Sequence, residues 1–79
     1  MLLAACDTAE ERAEGHYENA VELIGEGDVD RALIELRNVF QLNAQHVEAR
    51  RLYAQTMLER GRIREAFGNY TLVSEQLPD

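Results

Sequence analysis

The stretch that decides the fold occurs twice, as GDVDRA at residues 27–32 and as GRIREA at residues 61–66. In both copies a glycine interrupts a helical pattern of apolar residues, and a new pattern starts directly after it. Asp28 suits the N-cap of the second helix, because its carboxylate can accept hydrogen bonds from the free backbone N–H groups of the first turn. Each stretch therefore predicts the end of one helix and the start of the next.

Apolar residues recur three and four residues apart on both sides of the two stretches. Four segments show this spacing: residues 9–25, residues 29–42, a third that stops at Gly61 and a fourth that stops before Pro78. Proline cannot continue a helix and disfavours the helical conformation of the residue before it. No segment alternates as a strand would, so the sequence predicts an all-α fold with four helices of roughly 12–17 residues.

An internal repeat is the strongest signal in the chain. One constant shift superimposes identical residues: Glu14 on Glu48, Ala20 on Ala54, Gly27 on Gly61, Ala32 on Ala66 and Val39 on Val73. We expect the four paired alanines to lie where two helices approach most closely, since a larger side chain there would force them apart. The two paired glycines lie in the turns, where a positive φ is expected.

This period and pattern resemble the tetratricopeptide repeat, a unit of two helices and about 34 residues. The resemblance covers about residues 13–79, with one repeat at 13–46, a second at 47–79 and an acidic lead-in at 7–12. Pro78 lies where the family places its closing proline, whereas Ala44 replaces the first one. His16 and Arg50 stand at the position of the family's first-helix tryptophan. The resemblance implies two tandem antiparallel helix pairs in a right-handed superhelical array.

The resemblance also implies a scaffold for protein–protein interaction without catalytic activity. In such arrays the first helix of each repeat lines a concave groove that binds a protein or peptide. One face at helical spacing supplies the expected groove residues, namely Tyr17, Val21 and Ile24 from the first repeat and Arg51, Gln55 and Leu58 from the second. The alternative is that the first three residues belong to the core. A clamp for a C-terminal carboxylate is not expected, because Tyr17 and Val21 replace the cation and amide that it needs.

Residues 3–6 read Leu-Ala-Ala-Cys and resemble the lipobox of bacterial lipoproteins. The resemblance implies lipidation of Cys6 after removal of residual signal residues, and Asp7 in the next position is typical of retention at the inner membrane. Together with the repeats, the segment resembles periplasmic repeat lipoproteins of the exosortase-associated, pilus-assembly and outer-membrane assembly groups, the first most of all. The expected location is the periplasmic face of the inner membrane, with membrane contact only through the lipid. The alternative is a cytoplasmic interaction module in which Cys6 is an incidental thiol.

Charge and residue spacing argue against several other functions. The net charge is −7, and residues 1–30 hold nine acids against Arg12 alone, so a nucleic-acid partner is not expected. His16 and His46 are far apart in the sequence and have no neighbouring ligands, which predicts no metal site. Cys6 has no nearby base, and Gly25-Glu26-Gly27 lacks the strand and third glycine of a phosphate loop. We therefore expect neither a cofactor nor enzymatic activity.

Two repeats rarely suffice for stability, because each leaves an apolar face for a neighbour. The fourth helix is expected to expose Ile63, Phe67, Tyr70 or Val73 on the side that lacks a neighbour. Either the array continues past Asp79, as expected for a truncated array, or the chain self-associates. Both predictions concern the same apolar face.

Overall fold

The computed structural model describes residues 8–76, and its order of elements is four α-helices with no strand in that range. The helices are α1 (Ala9–Gly25), α2 (Val29–Leu42), α3 (Val47–Glu59) and α4 (Ile63–Gln76). The prediction of an all-α chain with two helix–turn–helix repeats is confirmed.

The chain divides into two compact units, Met1–Ala44 and Gln45–Asp79. In the first unit α1 packs against α2, and in the second unit α3 packs against α4. The division falls just before the repeat boundary expected after residue 46. His46 belongs to the second unit because it is the N-cap of α3, where its Nδ1 accepts a hydrogen bond from the Ala49 backbone N–H at 3.1 Å.

The first helix includes residues 9–12, most of the segment expected as an acidic lead-in. A capping box explains this start. The backbone N–H of Glu11 donates to Thr8 Oγ1 at 3.0 Å, and the backbone N–H of Thr8 donates to Glu11 Oε1 at 2.9 Å. Two orphan N–H groups are thereby satisfied one turn before the repeat pattern begins.

Both turns inside the repeats have the same backbone hydrogen bonds. Gly27 N–H donates to Ile24 O at 3.0 Å and Asp28 N–H donates to Leu23 O at 2.8 Å. In the second unit Gly61 N–H donates to Leu58 O at 3.0 Å, and Arg62 N–H donates to Met57 O at 2.8 Å. These bonds define a Schellman motif, and Gly27 and Gly61 have the positive φ that it requires, 86° and 79°.

Small residues fill the centre of each helix pair. Ala20 and Ala32 in the first unit and Ala54 in the second are fully buried, and Ala66 is 2% exposed. The largest fully buried side chains are Leu36, Val39 and Met57. A core of this kind allows close helix packing, and it leaves little volume for larger side chains at the alanine positions.

Candidate partner-binding faces

The first candidate face lies on α1 and consists of Tyr17, Val21 and Ile24. Val21 is 47% exposed, whereas Tyr17 and Ile24 are half-buried. The three residues follow each other at spacings of four and three, so they share one side of the helix. The face therefore combines one accessible apolar side chain with two half-buried side chains.

The second candidate face lies at the equivalent repeat positions of α3 and consists of Arg51, Gln55 and Leu58. Leu58 is 47% exposed, and Arg51 and Gln55 are exposed. Gln55 Nε2 donates to Glu59 Oε2 at 3.5 Å along the same helix. Both faces have an apolar residue near the end of the helix, Ile24 on α1 and Leu58 on α3. The other two residues of the face are apolar or aromatic on α1 and polar on α3.

A polar bridge joins the two helices of each unit at equivalent positions, and the sequence analysis missed it. His16 Nδ1 lies 2.6 Å from Glu35 Oε1 in the first unit. Arg50 donates through an Nη1–H to Asn69 Oδ1 at 3.1 Å in the second. The repeat shift places His16 on Arg50 and Glu35 on Asn69, so the two bridges are one feature repeated with different chemistry. The alignment of the two repeats contains a signal for these bridges, because it pairs a polar residue with a polar residue at both positions.

Burial affects the cationic end of the second bridge. Desolvation lowers the pKa of Arg50, while the electrostatic interaction with Tyr53 acts in the opposite direction. An arginine whose pKa is somewhat lowered still carries its charge at neutral pH. The bridge therefore remains a charge-assisted hydrogen bond, which is stronger than a neutral one.

A pocket of about 430 Å³ lies on the first unit, and the sequence analysis did not anticipate it. Its apolar lining comes from Leu23 of α1 and Ile34 of α2, and its acidic lining from Glu22, Glu26 and Glu35. Asn19 and Arg31 complete the wall. Ile34 is 53% exposed. The lining therefore combines apolar surface with three carboxylates and one guanidinium.

The second unit exposes a large apolar surface on α4. Phe67 is 70% exposed, Ile63 59% and Tyr70 36%, all on one side of the helix, whereas Leu72, which is 42% exposed, lies on the opposite side. Val73, which the sequence analysis grouped with the residues of the exposed side, is 8% exposed instead. Its position, six residues after Phe67 and three after Tyr70, turns it away from the Ile63–Phe67 side and into the packing of the unit.

Neither a metal site nor a membrane span is found in the part of the chain that the structure describes. No group of three or more His, Cys, Asp or Glu within residues 8–76 could hold a metal ion. Among the same residues, no helix combines the length and the apolar character needed to cross a membrane. Cys6, the expected lipidation site, lies outside the described residues, as does the closing proline, Pro78.

Comparison with protein families identifies the repeat. The family model described as "Tetratricopeptide repeat" matches residues 23–66, more than half of the chain. The chain belongs to the tetratricopeptide repeat family. Members of this family are in general interaction modules that bind proteins or peptides and are not catalysts. No curated protein and no solved structure matches the chain.

Proposed function

We propose that this tetratricopeptide repeat chain is a non-catalytic scaffold that binds a protein or peptide through the faces of α1 and α3. The observation that carries the proposal is the half-exposed apolar pair, Val21 and Leu58, on the first helix of each repeat. Isolated apolar residues are common on protein surfaces, but these two lie on the helix faces that the proposal assigns to the ligand.

The two faces favour different ligand groups, apolar groups on α1 and acidic groups on α3. The α1 face offers Tyr17, Val21 and Ile24 without a charge. The α3 face offers the exposed guanidinium of Arg51 next to Gln55. An arginine can bind a carboxylate with two parallel hydrogen bonds, which adds orientation as well as affinity.

The proposed location is the periplasmic face of the bacterial inner membrane, with Cys6 as the lipid anchor. The support is the Leu-Ala-Ala-Cys segment at 3–6 and Asp7 after it. Helix α1 begins at Ala9, three residues after Cys6, so the tether spans at most about 11 Å. The proposed role, which rests on the resemblance to periplasmic repeat lipoproteins, is in envelope secretion, exopolysaccharide or assembly machinery. In the alternative, a cytoplasmic module, the same faces act without a lipid.

The proposed partners also include the chain itself or further repeats, which would cover the apolar surface of α4. The support is the exposure of Ile63 and Phe67, both more than half exposed. Contiguous apolar surface of this kind marks interaction sites in soluble proteins.

Selection from a random peptide library displayed on phage tests the binding faces. We expect selected peptides to bind the full chain and to lose affinity about tenfold or more in Val21→Glu and Leu58→Glu, because a carboxylate then replaces apolar contact area. Leu72→Glu is the matched control, since Leu72 is also about half exposed but lies on α4. Peptides that bind all variants with equal affinity would overturn the proposed faces.

Labelling of the native gene product with radioactive palmitate tests the location. Label on the wild-type protein that disappears in Cys6→Ser supports the lipoprotein. Unlabelled wild-type protein supports the cytoplasmic alternative.

A further inference from the structure

We propose that copies of this chain associate head to tail, with the exposed side of α4 in one copy docked on the acidic pocket of the first unit in the next. This inference rests on the self-association included in the proposed function and names the two surfaces. The docking side of α4 is Ile63, Phe67 and Tyr70, and the receiving surface is the pocket around Leu23 and Ile34.

The charge reverses between the equivalent turns of the two repeats. At three positions the turn of the first repeat has an acid where the turn of the second repeat has an arginine. The pairs are Glu26 and Arg60, Asp28 and Arg62, and Asp30 and Arg64. Over the described residues the first unit has nine acids and three arginines, a balance of −6, and the second has four acids and five arginines, a balance of +1. Equivalent turns of neighbouring repeats follow each other along a stacked array. A second copy that continues the array therefore brings its acidic turn beside the arginine turn of the first.

Burial differs at equivalent positions of α2 and α4. Leu33 and Leu36 of α2 are 6% and 0% exposed. Their counterparts in α4 are Phe67 and Tyr70, which are 70% and 36% exposed. The same repeat position is thus buried in α2 and exposed in α4, so α4 presents apolar surface that a second copy can cover.

Equivalent positions of α1 and α3 also differ in exposure, but here the residues of the first unit are the more exposed ones. Thr56 and Met57 of α3 are 5% and 1% exposed. Their counterparts in α1 are Glu22, which is exposed, and Leu23, which is half-buried, and both line the pocket. The pocket side of α1 is therefore more exposed than the equivalent side of α3, which leaves it accessible to the α4 surface of a second copy.

The composition of the two surfaces fits this contact. Apolar side chains of α4 meet the apolar lining from Leu23 and Ile34, while Arg64, one residue after Ile63, meets the carboxylates of Glu22 and Glu26. A contact between two different surfaces is heterologous, so it leaves one free surface of each kind at the two ends of every assembly. Association is expected to increase with concentration and to weaken with salt, because exposed charges are screened.

The test uses two variants that each destroy one surface of the full chain. Ile34→Glu places a carboxylate in the pocket, and Phe67→Glu places one on α4; both original side chains are more than half exposed, so folding is expected to survive. We expect wild-type protein, kept reduced, to exceed its 9.0 kDa monomer mass progressively in sedimentation experiments up to about 1 mM. Each variant alone is expected to remain monomeric. Their equimolar mixture is expected to stop at a dimer, because each variant retains the surface that the other has lost.

A matched control separates the loss of this interface from the general effect of a new surface carboxylate. Leu72→Glu alters a partly exposed apolar residue on the opposite side of α4, so it is expected to associate like the wild type. Circular dichroism checks that every variant has the wild-type helix content. Wild-type protein that stays monomeric at about 1 mM, single variants that still associate, or a mixture that stays monomeric would each overturn the proposal. Peptide binding by Ile34→Glu, measured alongside, reports on the proposed function independently.

Discussion

Replacing Gly27 by alanine is expected to destabilise the chain through the backbone alone. Gly27 has a φ of 86°, and a Cβ added there would meet no atom within 4 Å. Steric contact with neighbouring atoms therefore adds nothing to the loss of stability. The whole expected loss is the strain of an L-residue in the left-handed region, about 1–2 kcal/mol. A domain of this size has a free energy of unfolding of only about 4–12 kcal/mol. The expected fall in melting temperature is about 4–16 °C.

A second glycine supplies a control in which alanine is expected to raise the stability instead of lowering it. Gly15 lies inside α1, and an added Cβ there also meets nothing within 4 Å. Alanine at that position reduces the entropy of the unfolded chain without strain, so Gly15→Ala is expected to stabilise by about 0.5–1 kcal/mol. Gly27→Asn tests the cause further, since asparagine tolerates the left-handed conformation better than alanine does.

The assay is thermal and urea unfolding followed by circular dichroism, on all three variants and the wild type. The expected order of stability is Gly15→Ala, wild type, Gly27→Asn and Gly27→Ala. The reasoning is refuted if Gly27→Ala is as stable as the wild type, or if alanine and asparagine at position 27 cost the same.

Three further predictions concern the core, a cap and a bridge. Ala20→Leu is expected to lose about 1–3 kcal/mol in urea unfolding, because Ala20 is fully buried between packed helices; Glu18→Leu, on the exposed side of α1, should lose far less. His46→Ala is expected to cost about 0.5–2 kcal/mol by removing the acceptor for the Ala49 N–H, and His46→Asn should restore most of it; equal losses in thermal unfolding would argue against the cap. Glu35→Ala should change stability by less than about 1 kcal/mol, since the His16 and Glu35 side chains are 34% and 25% exposed; a larger loss would show that the bridge is worth more than its exposure suggests.

Much of the fold was predictable because its determinants are local. The helix ends follow from glycines, caps and the spacing of apolar residues, all within a few positions of each other. Asp28 acts as the predicted N-cap, with its Oδ1 accepting from the Arg31 N–H at 3.4 Å. The first helix, Ala9–Gly25, has the bounds of the first segment with helical spacing, and the structure adds the capping box of Thr8 and Glu11 at its start.

The candidate faces were only partly predictable, because they depend on residues from two helices. The α1 and α3 faces follow from helical spacing, whereas the pocket needs Leu23 and Ile34 from different helices to lie together. The bridges needed the same information, since each joins a residue of a first helix to one of the second: His16 to Glu35, and Arg50 to Asn69. Helical periodicity places a residue on a face but does not pair it with a residue of another helix.

The sequence by itself determined the all-α class, the internal repeat, the turn glycines and the reversal of charge between the two turns. Only the tertiary structure decided which of two equivalent residues is covered. Leu33 and Phe67 occupy the same repeat position in helices of the same length, yet they are 6% and 70% exposed. The physical reason is that conformation at a turn depends on neighbouring residues, whereas burial depends on distant parts of the chain that remove water from a side chain.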